Sequence, residues 1–346
     1  MIYFLSFFAC TSHDPRAELV KSLGEEVFIP TYLSFVEKTK ALHAATIPFC
    51  EDPNLNSLVA LQQSWWGARE PWKQMEILSF GPYKNFPQRL GYQIDFWPIR
   101  RDTVDDILAG EQSLSPEVFD SFGASSKGLP VIEYLLYSVL PENMQNERAC
   151  EYLIGSTSDL SQKAEEIYTS WSPDGDNYLG QMVKPEAHDG DFQSIEESLA
   201  EVVNRLGHTI ENIRADKIQK GLGLEVGEVQ VSLVESHFSH RSIEDIRNNL
   251  EGIHQVYFGS ERGVGIDDYL LSRGYELDED FSQRYQKSLD TLSSLEQNGT
   301  LIENMYVDPN GVEYLSEQLA ALQTFIKGEV IGAMSLWLTF NDADGD

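Results

Sequence analysis

Glu235-Ser-His237-Phe-Ser-His240-Arg-Ser-Ile-Glu244 places two imidazoles and a carboxylate at i, i+3 and i+7. On a helix these three side chains share one face, which is how helical bundles hold metals, and imidazole with carboxylate suits iron or zinc. The same stretch admits another reading, in which Ser239 or Ser242 caps a helix starting near Ile243 and the shared face is lost. A second group of candidates lies in the first half. Arg69, Lys73 and Glu76 sit on the polar side of a tryptophan-rich helix, followed by Asp95-Phe-Trp97-Pro98 and then Gly128-Leu-Pro130-Val-Ile-Glu133. Pro130 suits the first turn of a helix, where its missing N–H costs nothing. Glu133 in that same turn is favoured by the helix dipole whether or not it binds anything.

Familiar catalytic patterns are missing. No histidine is followed by glutamate, so the His-Glu-x-x-His pattern of zinc proteases does not occur. There is no glycine-rich phosphate loop of Walker type, no serine nucleophile elbow, and no cysteine pair spaced for a zinc finger. Charge narrows the field further. Lys and Arg number 25 against 56 Asp and Glu, a formal net charge of −31. Such a surface repels phosphate backbones, which argues against nucleic acid as a partner, and it attracts cations wherever carboxylates converge. The closing Asn341-Asp-Ala-Asp-Gly-Asp346 reads as a solvated acidic tail.

The three cysteines bear on location. The apolar run from Met1 ends in Ala9-Cys10 and gives way at once to the polar Thr11-Ser-His-Asp-Pro15. This resembles the end of a secretory signal with Cys10 where bacterial lipoproteins are lipidated; a buried N-terminal strand or helix turn is the alternative. With Cys10 lipidated, Cys50 and Cys150 remain as an even pair in an oxidising compartment, and a disulfide between them is expected. No run approaches the roughly 18 consecutive apolar residues of a membrane span.

The elements that must position these residues are helical. Leu58, Leu61, Trp65, Ala68, Trp72 and Met75 step by threes and fours along one face. Ile195, Leu199, Val202, Leu206, Ile210 and Ile213 repeat the pattern, as do Phe281, Tyr285, Leu289, Leu292 and Leu295, and again Val312 through Ala333. Period-two β-branched runs are absent, so the expected fold is all-α, built as two helical bundles. Residues 1–10 are read as the signal segment, 11–172 as the N-terminal bundle and 192–346 as the C-terminal bundle. The polar, turn-rich 173–191 is read as the linker. Pro71 should kink its helix or end it early.

Taken in order, several of these pieces resemble the imelysin family, bacterial envelope proteins also classed as metallopeptidases. They are Trp65-Trp-Gly-Ala-Arg69 with Glu76 and Phe80-Gly-Pro82, Asp95-Phe-Trp97-Pro98, Gly128 through Leu136, Glu235-Ser-His237-Phe-Ser239, Asn249-Leu-Glu-Gly252, and the ending from Phe340. The resemblance implies two distantly similar helical bundles, a polar site where they meet, and a part in iron acquisition. The family's Gly-x-His-x-x-Glu signature is matched at Gly128 and Glu133, but its histidine position is Pro130, which offers no ligand atom. The expectation is an envelope lipoprotein, lipid-anchored through Cys10 in the periplasm, that binds an iron species or other small ligand at the interface and works with envelope iron-uptake proteins. Glu133, Glu76, Asp95, His237 and His240 are its candidate metal ligands. Arg69, Trp97, Gly128, Glu235 and Ser239 are its candidate ligand-binding residues. The alternatives are a metallopeptidase with Glu133 as its base, or a module that binds a partner or a ligand without metal.

Overall fold

The computed structural model describes residues 14–339, so Cys10, the apolar run before it and the acidic tail 341–346 lie outside the described residues. The chain is all-α, and no strand occurs among the described residues. The helices that build the core and position the candidate residues are α1 (Pro15–Leu23), α2 (Ile29–Glu51), α3 (Leu55–Met75), α4 (Gly128–Tyr134), α5 (Glu147–Trp171), α6 (Ile195–Asn212), α7 (Ser242–Phe258), α8 (Ile266–Ser272), α9 (Asp278–Asn298) and α10 (Pro309–Phe325). No helix among the described residues is long and apolar enough to cross a membrane.

Helix starts follow local chemistry. Asn54 and Ser57 form a reciprocal capping box at α3, Asn146 accepts from the Ala149 N–H at α5, and Ser194 accepts from the Glu197 N–H at α6. Among the described residues, four π-turns interrupt otherwise continuous helices. Gly24–Phe28 joins α1 to α2, Leu135–Val139 extends α4, Ile213–Gln219 extends α6, and Ile326–Val330 extends α10. Such turns carry one more residue than an α-turn and often mark functional sites.

The apolar stripes bury as their spacing demands. Leu58, Leu61, Trp65, Ala68, Trp72 and Met75 all face inward. So do Leu199, Val202, Leu206, Ile210 and Ile213, and the run from Val312 through Ala333. Helix α2 packs between α3 and α5; α10 packs on α9 and α6; and α7 lies across α3, tying the second half of the chain to the first. Buried apolar side chains from Leu19 to Met334 form one connected cluster. Cys50 at the end of α2 and Cys150 at the start of α5 form a disulfide, with Cα atoms 5.5 Å apart.

Two local features refine the sequence reading. Of the two outcomes expected at Pro71, the early end does not occur, since α3 runs through it to Met75. Proline removes a single backbone hydrogen bond, and the last turn is anchored by the buried Trp72, Lys73 and Met75. The stretch 173–191 contains a short helix, Tyr178–Val183, capped by the Asn177 side chain. At six residues, fewer than two turns, it is too short to show a helical period. Tyr178 buries against Trp171 and Phe80, with ring centroids 5.0 and 6.4 Å away.

Candidate functional site

Arg69 and Lys73 stand one turn apart on α3, and Glu76 follows in the 3-10 turn that ends it. This polar side faces α7 rather than water: Arg69 is 1% exposed and Lys73 fully buried. Helix α7 comes close because Gly252 carries no side chain. A Cβ there would lie 2.1 Å from the Gln74 carbonyl oxygen. The approach brings Asp245 and Asn249 of α7 onto the Arg69–Glu76 strip. Asp95 arrives from the end of the short helix Leu90–Ile94, Glu235 from the turns that precede α7, and Lys217 from the π-turn beyond α6.

Asp245 holds Arg69 with both oxygens, Oδ1 accepting from Nε at 2.9 Å and Oδ2 from Nη2 at 3.0 Å. Asp245 also accepts from the Ser236 hydroxyl. Arg69 Nη2 lies 3.1 Å from Glu235 Oε1, and Nη1 lies 3.4 Å from Asp95 Oδ1. The Lys73 ammonium donates to three carboxylates at once: Glu76, Asp95 Oδ2 at 2.7 Å, and Glu235. Trp72 Nε1 donates to the same Asp95 oxygen at 2.9 Å. Lys217 Nζ closes the far side, 2.6 Å from Glu76 Oε2 and 2.8 Å from Glu235 Oε2, and donates to Asn249 Oδ1 at 2.7 Å.

Glu76, Asp95, Glu235 and Asp245 therefore meet Arg69, Lys73 and Lys217, leaving one surplus negative charge. Burial opposes the charged forms of Lys73, Glu235 and Asp245, and their partners decide the outcome. Burial and the Arg69 charge pull Lys73 down, but Asp95, Glu235 and Glu76 outweigh them and hold its ammonium well above its ordinary value. Burial would raise Glu235, but Lys217, Lys73 and Arg69 hold it well below the usual carboxylate range. At Asp245, burial and the Glu235 charge outweigh the guanidinium and leave its carboxyl raised.

Glu133 is placed apart from this cluster. Helix α4 begins at Gly128 with φ +79°, and a Cβ there would meet the Ile94 carbonyl oxygen at 2.3 Å, so only glycine fits. Pro130 is buried in the first turn. Glu133 Oε1 accepts from the Ser239 N–H at 2.8 Å and its hydroxyl at 2.7 Å. Burial pushes this carboxyl up to about 7, against the pull of Arg69 and the two Ser239 bonds.

The shared helical face of His237, His240 and Glu244 does not form. Residues 235–240 are turns, Ser236 and His240 take φ of 53° and 61°, and α7 begins only at Ser242. The Ser242 hydroxyl donates back to the Glu235 carbonyl instead of capping the helix. His237 packs on Trp97 with ring centroids 5.1 Å apart, and burial takes its imidazole down to about 4, so it is neutral at physiological pH. His240 is exposed and outside the cluster.

Above the ion network opens a cavity of about 510 Å³. Glu76, Asp95 and Glu235 line its floor, and Tyr83, Tyr92, Trp97, Arg205 and Lys220 line its walls. Its lining carries four cations (Lys84, Arg205, Lys217, Lys220) against four carboxylates (Glu76, Asp95, Asp216, Glu235). In a chain of net charge −31 this is a locally balanced pocket, where an anionic group is not repelled. Oxygens of Glu76, Asp95 and Glu235 lie within 4.8 Å of one another, a spacing that would suit a hard cation. Lys73, however, already bonds to all three, so a bare ion would have to displace it.

Comparison with known proteins places this geometry in context. The family model described as Imelysin matches residues 28–325. The curated protein named iron-regulated protein A from Synechococcus elongatus is 25% identical over 251 residues; the match covers 72% of this chain and 66%, just under two thirds, of that protein. Among solved structures, one named for an iron-regulated protein A precursor from Parabacteroides distasonis aligns with a TM-score of 0.79 at 21% identity. It covers 92% of this chain and 94% of that one. An imelysin-like protein from Psychrobacter arcticum aligns with a TM-score of 0.73 at 18% identity, covering 94% and 98%. At these identities the two structures speak for the fold.

Proposed function

This chain belongs to the imelysin family, and from that premise we propose that it is a binding protein of iron acquisition that takes an anionic iron chelate into the cavity above the Arg69–Lys73 network. The observation that carries this reading is the cavity itself, with Arg205, Lys217 and Lys220 on its walls in a strongly acidic protein. A chelate suits it better than a bare ion. The carboxylate oxygens that iron would need are already held by the buried Lys73 and by Lys217, whereas a chelate brings its own ligands and need only share Arg205 with Glu201 and the exposed Lys220 with Asp216. The name of the Synechococcus relative supports a link to iron. The leader-like run before Cys10 supports a lipid-anchored place in the envelope, with envelope iron-uptake proteins as partners.

The peptidase alternative gains nothing from the geometry. Glu133, its only candidate base, is buried, bonded to Ser239 and away from the cavity lining. Trp97 lines the cavity, which makes tryptophan emission a direct readout. Ferric citrate should quench it saturably at one chelate per chain, and Arg205→Ala with Lys220→Ala should weaken binding about tenfold. Free ferrous iron should leave it unchanged. Absence of quenching by ferric citrate or haem ends this proposal; stoichiometric uptake of bare iron alone would move the site onto the carboxylates.

A further inference from the structure

We propose that the chelate taken into this cavity is an aryl one, a ferric catecholate, whose rings pack on Tyr92 and Trp97 while its oxygens face Arg205 and Lys220. This ligand class rests on the binding reading above and narrows it. The lining divides by origin. Tyr83, Tyr92, Phe96 and Trp97 come from the irregular segment 81–98, with Tyr92 on the short helix Leu90–Ile94. Arg205, Lys217 and Lys220 come from α6 and the turns that extend it. One cavity thus offers aromatic surface from the first half of the chain and cations from the second. A ligand that carries planar rings and anionic oxygens satisfies both sets, whereas an aliphatic hydroxycarboxylate leaves the rings unused.

These rings reach the cavity instead of filling the core. All four are only partly buried, whereas Trp65, Trp72 and Trp171 are buried completely or nearly so. They are also held in place. Tyr83 stacks on Trp72 with centroids 5.8 Å and planes 12° apart, and Tyr92 stands edge-on to Tyr83 at 5.8 Å. The Arg89 guanidinium lies 4.3 Å from the Tyr92 centroid yet is not part of the lining, so it braces that ring from outside the cavity. Trp97 leans on the His237 ring. A wall fixed before binding loses little conformational entropy when a rigid ring arrives. The iron must bring its ligands with it. The lining holds no histidine, cysteine or methionine that could ligate a haem iron. Burial and the charges of Glu76 and Asp95 hold the Tyr83 phenol well above its ordinary value, so it is no ready phenolate.

Calorimetric titration of the full chain with the ferric complexes of 2,3-dihydroxybenzoate and of citrate tests this. The aryl complex should bind about tenfold tighter, the increment expected from two aromatic contacts. Tyr92→Leu and Trp97→Leu remove a ring but keep an apolar side chain. Each should cut the preference about threefold, weakening the aryl complex more than the citrate one. Arg205→Ala should weaken both complexes alike. Because the two affinities are compared within one protein, a loss of folded material does not mimic these changes. Equal affinity for the two complexes, a preference unchanged in both ring variants, or haem bound more tightly than the aryl complex would each overturn the aryl assignment and leave the chelate-binding reading standing. Binding of neither complex, with no uptake of haem, would end both.

Discussion

Arg69→Met is expected to destabilise the folded protein by about 3–5 kcal/mol near neutral pH, the usual cost of stranding a buried charge. Methionine fills much of the same volume, so the loss is electrostatic. Asp245 loses both guanidinium bonds and keeps only Ser236, while Asp95 and Glu235 still have Lys73. The pH dependence identifies the cause. Asp245 already sits above its ordinary value through burial, and removing Arg69 should raise it further. A carboxyl whose folded pKa exceeds its unfolded one loses stability as pH climbs, so the deficit should be smaller near pH 5 than near pH 8. Adding Asp245→Asn should recover part of it. Urea denaturation at both pH values decides the matter. A loss below about 1 kcal/mol at each would place Arg69 among weak, solvent-screened pairs and refute the buried network.

Glu133→Gln should do the opposite and stabilise. The Glu133 carboxyl titrates at about 7 in the folded chain against 4.5 ordinarily, raised first by burial and only partly offset by Arg69 and Ser239. Below about pH 4.5 both states are protonated and the variant should match the parent. Between about 4.5 and 7 the unfolded chain ionises while the folded carboxyl does not, so the parent loses stability with rising pH. The gap should reach about 3 kcal/mol above pH 7. Glutamine retains an oxygen to accept from Ser239, so the local geometry need not change. Parallel stability–pH curves for the two proteins would show that Glu133 is not buried as described.

Most of the fold was legible because burial leaves a periodic signature. The α3 stripe from Leu58 to Met75 and the α10 stripe from Val312 onward could be read position by position. The site was legible only in part. Glu76, Asp95, Glu235 and Arg69 do converge, but Arg69 and Lys73 could be read only as the polar side of their helix, because polar spacing on one helix does not reveal a second helix packed over it. Asp245 and Asn249 had a usable signal: two polar residues four apart in the apolar run Ile246, Leu250, Ile253, with Gly252 beside them. His237 and His240 misled, since helical spacing means nothing in a stretch where Ser236 and His240 adopt positive φ. Lys217 had no sequence signal at all.

The silence of Lys217 in the sequence has a structural origin. The Ile213–Gln219 π-turn that follows the amphipathic α6 absorbs an extra residue and itself carries the lysine that seals Glu76 and Glu235. Were the same residues to wind as a plain α-helix, the later part of this turn and everything beyond it would rotate by up to about 100°. Lys217 would then swing off the two carboxylates although no ligand, partner or core side chain had been altered. The site is thus phased by the width of one turn, like a thread that engages only at one rotation, and it answers to how the backbone winds as well as to which residues it carries.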